Sequence, residues 1–272
     1  MSSRRIAFTK GHGTGNDFVL VADPADELRV SGEGVRAVCD RRFGLGADGL
    51  IRAVLAGDEW FMDYRNADGS IGEMCGNGAR VFAAFLWEQM LVAADDFTIV
   101  TRGGRRQVSR APGGISVDMG VPRRDDAEVE VVANGRSWPA RAVFMPNPHA
   151  VVFVDDLDDP GPLREAPRVR SAVFPEGQNV EFVLVRNPGE HVAMRVHERG
   201  VGETLSCGTG VCAVADRALE RAGVTGPASI RVDVPGGSLT VDRTSGGTLV
   251  LTGPAELVAE GTLSARLSEM FL

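Results

Sequence analysis

Short apolar runs bounded by turn residues recur along most of the chain. Runs rich in Val, Ile and Phe between Gly, Pro, Asp and Asn predict β-strands. The predicted strands are Phe18–Ala22, Phe97–Val100, Ile115–Met119, Val129–Val132, Ala150–Val154, Phe182–Val185, Ala193–His197, Ile230–Val234 and Thr248–Leu251. Segments 78–91 and 210–222 carry Ala, Leu and Phe at helical spacing, and Gly223 is predicted to end the second helix. This pattern favours a mixed α/β (α+β) fold in which a barrel-like sheet wraps around one helix, twice.

A repeated motif precedes each predicted helix. Cys75-Gly76-Asn77-Gly78 recurs 132 residues later as Cys207-Gly208-Thr209-Gly210. Gly103-Gly104 recurs as Gly236-Gly237 at an offset of 133, and the apolar run 18–21 recurs at 182–185. Ordered matches of this kind predict a duplicated domain of roughly 130 residues. Its boundary is expected near the charged, turn-forming stretch at 122–126, with 155–162 a surface loop of the second half.

Composition narrows the class of protein. The chain has 272 residues, 43% apolar and 24% charged, with a net charge of −8, which is typical of a globular protein that binds neither nucleic acid nor anionic membranes. No apolar stretch is long enough to span a membrane, and the apolar run after the N-terminus is too short for a secretory leader. We therefore predict a cytoplasmic protein. Its four cysteines contain no Cys-x-x-Cys pair, so neither a disulfide scaffold nor a metal site is predicted.

One basic residue is unusual. Lys10 is the only lysine, and the other 28 basic residues are arginines. A pyridoxal phosphate enzyme needs a lysine for its Schiff base, so this chemistry must use Lys10 or be excluded. The sequence assigns Lys10 no other role.

A cysteine at the N-terminus of a helix is suited to acid/base catalysis. The helix N-terminus lowers the pKa of the thiol, and its backbone N–H groups can hold a carboxylate. Two such cysteines, one in each half, predict a pair of thiols that remove and return a proton on opposite faces of one carbon without a cofactor. The structural alternative is that Cys75 and Cys207 are small buried residues, which the repeated context disfavours. Cys39 and Cys212 lack that context and are expected to be structural.

Several motifs together resemble the diaminopimelate epimerase family over nearly the whole chain. They are Gly13-Thr14-Gly15-Asn16-Asp17-Phe18, Asn66-Ala67-Asp68-Gly69-Ser70, Cys75-Gly76-Asn77-Gly78-Ala79-Arg80, Asn147-Pro148-His149, Glu198-Arg199-Gly200 with Gly202-Glu203-Thr204, and Cys207-Gly208-Thr209-Gly210. The resemblance implies a cofactor-independent isomerase that interconverts LL- and meso-2,6-diaminoheptanedioate in lysine and peptidoglycan-precursor synthesis. It also implies two pseudo-symmetric halves with the active site between them. We place them at 1–122, joined by a returning segment 261–272, and at 123–260.

The resemblance also implies roles for individual residues. Cys75 and Cys207 match the acid/base pair, and His149 and Glu198 match groups near the thiols. The residues that match substrate contacts are Asn16, Asn66, Gly76, Asn77, Asn147, Asn179, Glu198, Arg199, Gly208 and Thr209. Such polar groups suit a small amino-acid substrate that is zwitterionic at both ends.

The sequence departs from the family pattern at three positions. Gly49 stands where some members place Gln, Thr209 where some have Ser, and Ala259 where some have a Tyr used in dimer contacts. A role for the Gly49 loop and a homodimer are therefore left open, and any dimer must be held differently.

Other functions remain as alternatives. A proline- or hydroxyproline-type racemase would share the two-thiol logic, and a non-catalytic binding protein would share the fold. Nucleotide binding through Gly11-x-Gly13-x-Gly15 is disfavoured, because the spacing is not that of a Rossmann motif. A redox role for Cys75 with Cys207 would make their disulfide functional, whereas we expect it to inactivate the enzyme.

Overall fold

The computed structural model describes residues 5–272, which form two compact units. The first unit comprises the described residues up to Val117 together with Pro254–Leu272, and the second comprises Asp118–Gly253. The predicted division, at 122/123 with a return at 261, lies a few residues further along the chain in both places. No helix formed by residues 5–272 is both long and apolar enough to cross a membrane.

Strands dominate both units. Within residues 5–272 the strands are β1 (Ala7–Gly13), β2 (Asn16–Ala22), β3 (Gly49–Ala56), β4 (Glu59–Asn66), β5 (Asp96–Thr101), β6 (Gly104–Ala111), β7 (Gly114–Gly120), β8 (Arg123–Ala133), β9 (Arg136–Phe144), β10 (Pro148–Phe153), β11 (Arg168–Arg170), β12 (Asn179–Asn187), β13 (His191–Glu198), β14 (Gly202–Thr204), β15 (Ala228–Val234), β16 (Gly237–Arg243), β17 (Leu249–Gly253) and β18 (Glu256–Thr262). The helices are α1 (Gly32–Cys39), α2 (Gly76–Glu88), α3 (Gly208–Arg221) and α4 (Ala265–Ser268), followed by a 3₁₀ turn (Glu269–Phe271). All nine strands predicted from the sequence are confirmed.

The sheet of the first unit has the strand order β18-β1-β2-β3-β4-β5-β6-β7. Its neighbours are antiparallel except for β2 with β3 and β4 with β5, which are parallel. Parallel neighbours need a crossover connection. α1 lies in the first crossover and α2 in the second.

The second unit repeats this arrangement. Its sheet has the order β8-β9-β10-β12-β13-β15-β16-β17, again antiparallel except at the third and fifth pairs, β10 with β12 and β13 with β15. α3 lies in the crossover that corresponds to α2. The strand β18 therefore has the place in the first unit that β8 has in the second. The C-terminal part of the chain supplies the first strand of the N-terminal unit.

One helix fills the interior of each sheet. α2 contacts β1, β2, β3, β4, β6 and β18, and α3 contacts β9, β10, β12, β13, β15, β16 and β17. Both helices are buried on nearly all sides, as expected for helices that are rich in small and apolar residues all round. The predicted architecture, a sheet wrapped around a helix in each half, is confirmed.

The ends of these helices follow from local chemistry. Both begin two residues earlier than predicted, because each cysteine is the N-cap and both motif glycines lie in the first turn. At the end of α3, Gly223 adopts a φ of +70°. Its N–H donates to the Glu220 carbonyl at 2.9 Å, and the Val224 N–H donates to the Leu219 carbonyl at 3.0 Å. This is the glycine C-cap predicted from the sequence.

Candidate active site

A tight hairpin brings Asn16 to the start of α2. Thr14 and Gly15, with φ angles of 51° and 82°, form the two-residue turn between β1 and β2. Two positive φ values are the mark of a type I′ hairpin turn, which favours glycine. A Cβ on Gly13 would lie 3.1 Å from the Asn77 carbonyl oxygen, so the hairpin packs closely on the helix. The Gly-Thr-Gly-Asn motif is therefore a turn that positions Asn16.

Cys75 is held by contacts from both sides. Its Sγ accepts a hydrogen bond from the Gly78 N–H at 3.3 Å, and its thiol donates to Oδ1 of Asn16 at 3.6 Å. The side-chain amide of Asn16 donates in turn to the Asp48 carboxylate at 2.9 Å. Since the carboxylate only accepts, it fixes which end of the Asn16 amide faces the sulfur.

The side chain of Asn77 belongs to the same cluster. Its Nδ2 donates to Oδ1 of Asn16 at 3.4 Å, and its Oδ1 accepts from Arg80 at 3.0 Å. Arg80 is fully buried and also donates to the Thr14 hydroxyl at 3.4 Å. The predicted residues Asn16, Cys75, Gly76 and Asn77 thus come together in the first unit.

Asn66 lies at the end of β4 and is held separately. Its Oδ1 accepts from the Tyr64 hydroxyl at 2.6 Å, and its Nδ2 donates to the Ser70 hydroxyl at 2.9 Å. The ring of Tyr64 also explains why residue 49 is a glycine. A Cβ at position 49 would lie 2.7 Å from the Tyr64 ring and 2.6 Å from the Arg65 carbonyl oxygen. The ring of Tyr64 occupies the space that a longer side chain at position 49 would need.

Lys10, to which the sequence assigns no role, stabilises the loop that carries Asp48. Its Nζ lies 2.9 Å from the Asp17 carboxylate and donates to the Gly46 carbonyl. Arg41 binds the same carboxylate at 2.7 Å and Asp48 at 2.8 Å. These ion pairs hold the hydrogen-bond partner of Asn16 in place.

Cys207, the N-cap of α3, has more acidic surroundings. Only 6% of the residue is exposed, and its Sγ lies 3.4 Å from the Thr209 hydroxyl. Burial raises the pKa of the Cys207 thiol well above its usual value, and the negative charges of Glu198 and Glu181 raise it further. Hydrogen bonds from Thr209 and the Gly210 N–H oppose this only in part. Cys207 therefore favours the protonated thiol.

Glu198 lies beside this thiol at the end of β13. Burial raises its pKa, while hydrogen bonds with Thr204 and Cys207 act in the opposite direction. The Thr204 hydroxyl donates to Oε1 at 2.5 Å. A carboxyl group with a raised pKa next to a thiol is suited to proton exchange with it.

His149 lies in a buried polar cluster with a residue that the sequence analysis missed. Its Nδ1 is 2.6 Å from Oε1 of Glu181, and both side chains are 0% exposed. Its Nε2 is 3.1 Å from Oδ1 of Asn147, and the Nδ2 of Asn179 is 3.5 Å from Nδ1. β10 and β12 are parallel neighbours with His149 opposite Asn179, which brings these groups together.

Arg199 is exposed and is held by main-chain atoms. Its backbone N–H donates to Oδ1 of Asn179 at 2.9 Å, and its guanidinium donates to the Glu176 carbonyl at 3.0 Å and the Gly177 carbonyl at 3.4 Å. The second unit thus brings Asn147, His149, Asn179 and Arg199 into one network, with Glu198 and Cys207 close to Glu181.

The second glycine of each Cys-Gly-x-Gly motif has a packing reason. A Cβ on Gly78 would lie 2.9 Å from the Met62 side chain, and a Cβ on Gly210 would lie 2.7 Å from Oε1 of Glu181. In both units a side chain approaches the first turn of the helix so closely that a larger residue than glycine would displace it. The repeat therefore preserves helix packing as well as the cysteine.

The signal for Glu181 was present in the sequence. It is a lone acidic residue inside the apolar strand β12, two residues after Asn179. Residues two apart on a strand share a face. A carboxylate on the same face as a candidate substrate residue, in an otherwise apolar strand, indicates a buried site group.

Comparison with known proteins identifies the family. A family model described as diaminopimelate epimerase matches residues 8–124 and 141–258. The chain belongs to the diaminopimelate epimerase family. A diaminopimelate epimerase from Streptomyces coelicolor is 51% identical over 277 residues, covering 95% of this chain and 96% of that protein. The diaminopimelate epimerase from Thermobifida fusca is 45% identical, covering 97% of this chain and all of that protein.

Solved structures with low sequence identity share the fold of this diaminopimelate epimerase family member. A phenazine biosynthesis protein of the PhzF family from Bacillus anthracis has a TM-score of 0.73 at 17% identity, covering 96% of this chain and 99% of that chain. A hydroxyproline epimerase from Agrobacterium vitis has a TM-score of 0.70 at 13% identity, covering 96% and 93%. At these identities the similarity is one of fold, and it confirms the predicted fold class.

Proposed function

We propose that this chain is a pyridoxal phosphate-independent isomerase that interconverts LL- and meso-2,6-diaminoheptanedioate, in lysine and peptidoglycan-precursor synthesis. The observation that carries the proposal is the pair of cysteines at equivalent helix N-termini in two units of the same topology. Family membership with relatives named diaminopimelate epimerase supports the substrate. We also propose that the activity is cytoplasmic.

The reaction needs one thiolate and one thiol acting on opposite faces of the α-carbon. One sulfur takes the α-proton, the electron pair stays on carbon, and the other thiol delivers a proton from the opposite face. The environment of Cys207 supports its starting as the thiol, because burial and nearby carboxylates raise its pKa. We therefore assign the proton-abstracting role to Cys75. Its thiolate, formed once the thiol loses the proton that it donates to Asn16, would be stabilised by the Gly78 N–H.

The carboxylate next to the reacting carbon would bind at the helix N-termini. Backbone N–H groups in the first turn have no partner within the helix and favour anions. We assign this role to Gly76 and Asn77 in one unit and to Gly208 and Thr209 in the other. The same groups would stabilise the charge that develops as the α-proton leaves.

The remaining polar residues are proposed to recognise the substrate. The amides of Asn16, Asn66, Asn147 and Asn179 offer both donors and acceptors, which suits a carboxylate next to an ammonium group. Glu198 would pair with an ammonium group and Arg199 with a carboxylate. His149 and Glu198 are proposed to assist proton movement onto and off the thiols.

The test uses the purified protein in deuterated water with LL-diaminoheptanedioate, and L-proline in a parallel reaction. We expect deuterium at the α-carbon of diaminoheptanedioate together with the meso isomer. Cys75→Ala and Cys207→Ala should each abolish epimerisation with folding intact, whereas the control Cys212→Ala keeps the thiol pair. Label entering proline but not diaminoheptanedioate would contradict the proposed substrate. Near-native turnover in either of the first two variants would contradict the two-base mechanism.

The oligomeric state is a separate part of the proposal. A homodimer of this chain would have to form without a tyrosine at position 259, which is Ala. Light scattering on the purified protein distinguishes a monomer from a dimer.

A further inference from the structure

We propose that Glu181 is a positioning residue of this site: its carboxylate holds the His149 ring with a proton on both nitrogens, and that ring fixes the side-chain amide of Asn147. The proposal rests on the proposed function in one respect, since it takes Asn147 to contact the substrate. The state of the His149 ring can be measured without any assumption about the reaction.

Both nitrogens of the His149 ring face hydrogen-bond acceptors. Nδ1 of His149 lies 2.6 Å from a carboxylate oxygen of Glu181, and Nε2 lies 3.1 Å from the amide oxygen of Asn147. Both oxygens are acceptors, so a hydrogen bond at each nitrogen needs a proton on each. The Nδ2 of Asn179 is also near Nδ1, but at 3.5 Å it is at the limit of a hydrogen bond. The near partner of Nδ1 is the carboxylate.

The Glu181 carboxylate is buried and needs a compensating positive charge. Glu181 and His149 are completely buried, and Oε2 of Glu181 has no hydrogen-bond partner among the described residues. A buried carboxylate is costly unless a cation or hydrogen bonds compensate for it. Glu198 on β13 and Cys207 at the start of α3 lie beside the pair, and burial raises the pKa of both. Both favour their neutral forms, so the His149 ring is the group that can supply a positive charge to the Glu181 carboxylate.

The start of α3 leaves little space around the Glu181 carboxylate. A Cβ added to Gly210 would lie 2.7 Å from Oε1 of Glu181, so the first turn of α3 closes directly over this oxygen. The N-terminal end of a helix stabilises a negative charge placed there. The glycine in the motif is thus required for the carboxylate to reach this position.

The His149 ring determines which end of the Asn147 amide faces the substrate. While Nε2 of His149 donates to Oδ1 of Asn147, the NH₂ end of that amide is turned to the other side and presents donors. Donors suit a substrate carboxylate. Removal of the charge at position 181 would release one ring proton, and a bare Nε2 would attract the NH₂ end instead. The amide would then present an acceptor to the substrate.

The direct test is NMR of the protein labelled with ¹⁵N at histidine, with His149→Gln used to assign the signal among the four histidines. At pH 7.5 we expect both His149 nitrogens to carry protons in the wild type and only one in Glu181→Gln. A wild-type ring with one bare nitrogen would overturn the proposal. The wild-type arm of this measurement needs neither activity nor a folded variant at position 181.

The kinetic test separates positioning from a structural role. For Glu181→Gln we expect KM to rise about tenfold, which corresponds to about 1.4 kcal/mol, while kcat changes much less. Glu190→Gln is the matched control, because it removes the same charge from an exposed position in the turn between β12 and β13. A fall in kcat with KM unchanged would overturn the proposal. If the wild type fails to epimerise diaminoheptanedioate, the proposed function is wrong, and the NMR result still decides the role of Glu181.

Discussion

Replacing the only lysine tests how firmly the Asn16 side of the site is held. Lys10→Met removes the charge but keeps an unbranched side chain. It breaks the 2.9 Å ion pair with Asp17 and the hydrogen bond to the Gly46 carbonyl. We expect a less stable protein with weaker substrate binding, because the affected loop carries Asp48, which orients Asn16 at 2.9 Å.

The magnitude follows from the pKa of Asp17. Burial acts to raise this pKa, but hydrogen bonds and charges from Arg41 and Lys10 outweigh it and lower the pKa from 3.8 to about 2. At about 1.4 kcal/mol for each pH unit, this corresponds to about 2 kcal/mol of stability at neutral pH. Because Arg41 and Lys10 share the effect, Lys10→Met should cost about 1 kcal/mol.

The sign of the pH dependence is fixed by the same shift. Asp17 has a lower pKa in the folded protein than in the unfolded chain. Its stabilising contribution is therefore complete above about pH 4 and is lost as the pH falls through about 2. Lys10→Met raises this folded-state pKa, so the stability difference between variant and wild type should begin to shrink near pH 3.

Urea denaturation at pH 7 and pH 2 measures this difference, and Lys10→Arg is the control that keeps the charge. We expect Lys10→Arg to stay closer to the wild type than Lys10→Met at pH 7. Equal stability of Lys10→Met and wild type at pH 7 would refute the argument. So would a difference that is as large at pH 2 as at pH 7.

Three further predictions concern the thiols and the surroundings of Asn66. At pH 8, iodoacetamide should modify Cys75 before Cys207, because Cys207 is almost fully buried and its raised pKa keeps it protonated. Peptide mass spectrometry at early reaction times measures the order of modification, and equal rates would contradict the prediction. Gly49→Ala should cost about 1–3 kcal/mol in thermal unfolding, since its Cβ would lie within 2.7 Å of the Tyr64 ring; unchanged stability would mean that the ring moves aside freely. Tyr64→Phe removes a 2.6 Å hydrogen bond to Asn66 and should lower the free energy of unfolding by about 1 kcal/mol. It should raise KM by a larger factor than it changes kcat, and an unchanged KM would argue against a role of Asn66 in binding.

The repeat made the central features of the fold predictable. The motif Cys-Gly-x-Gly occurs at the start of both buried helices, because each needs an N-cap and a first turn that strands can approach closely. Strands such as β2 were evident because Phe18–Val21 is a continuous apolar run. The structure buries both faces of β2, with Val19 and Val21 packed in a cluster with Val35 of α1.

Other elements could not be predicted from local pattern. β3 and β4 contain Arg52 and Asp63, which interrupt the apolar pattern of a buried strand. The structure pairs these two residues across neighbouring strands at 3.0 Å. α1 begins with Gly32 and contains Gly34, which are poor helix formers, and it is held by packing. In both cases tertiary contacts compensate for an unfavourable local sequence.

The residues of the site likewise fall into those that the sequence predicts and those that depend on tertiary structure. The cysteines and the asparagines were predictable because they lie in the motifs of the resemblance. The pairing of His149 with Glu181 was not predictable, because it depends on the register of β10 beside β12. The exposed, carbonyl-bound position of Arg199 likewise depends on the loop at 176–177.

The two units are alike in topology but unlike in the polarity around their thiols. Asn16, an amide fixed by Asp48, contacts the sulfur of Cys75. Carboxyl groups from Glu198 and Glu181 surround Cys207 and oppose its ionisation. A symmetric pair of thiols would have no reason to divide into one base and one acid, whereas a two-base reaction must start with one of each. The duplication therefore accounts for the presence of two thiols, and the divergence of the strands around them accounts for the carboxyl groups that raise the pKa of Cys207.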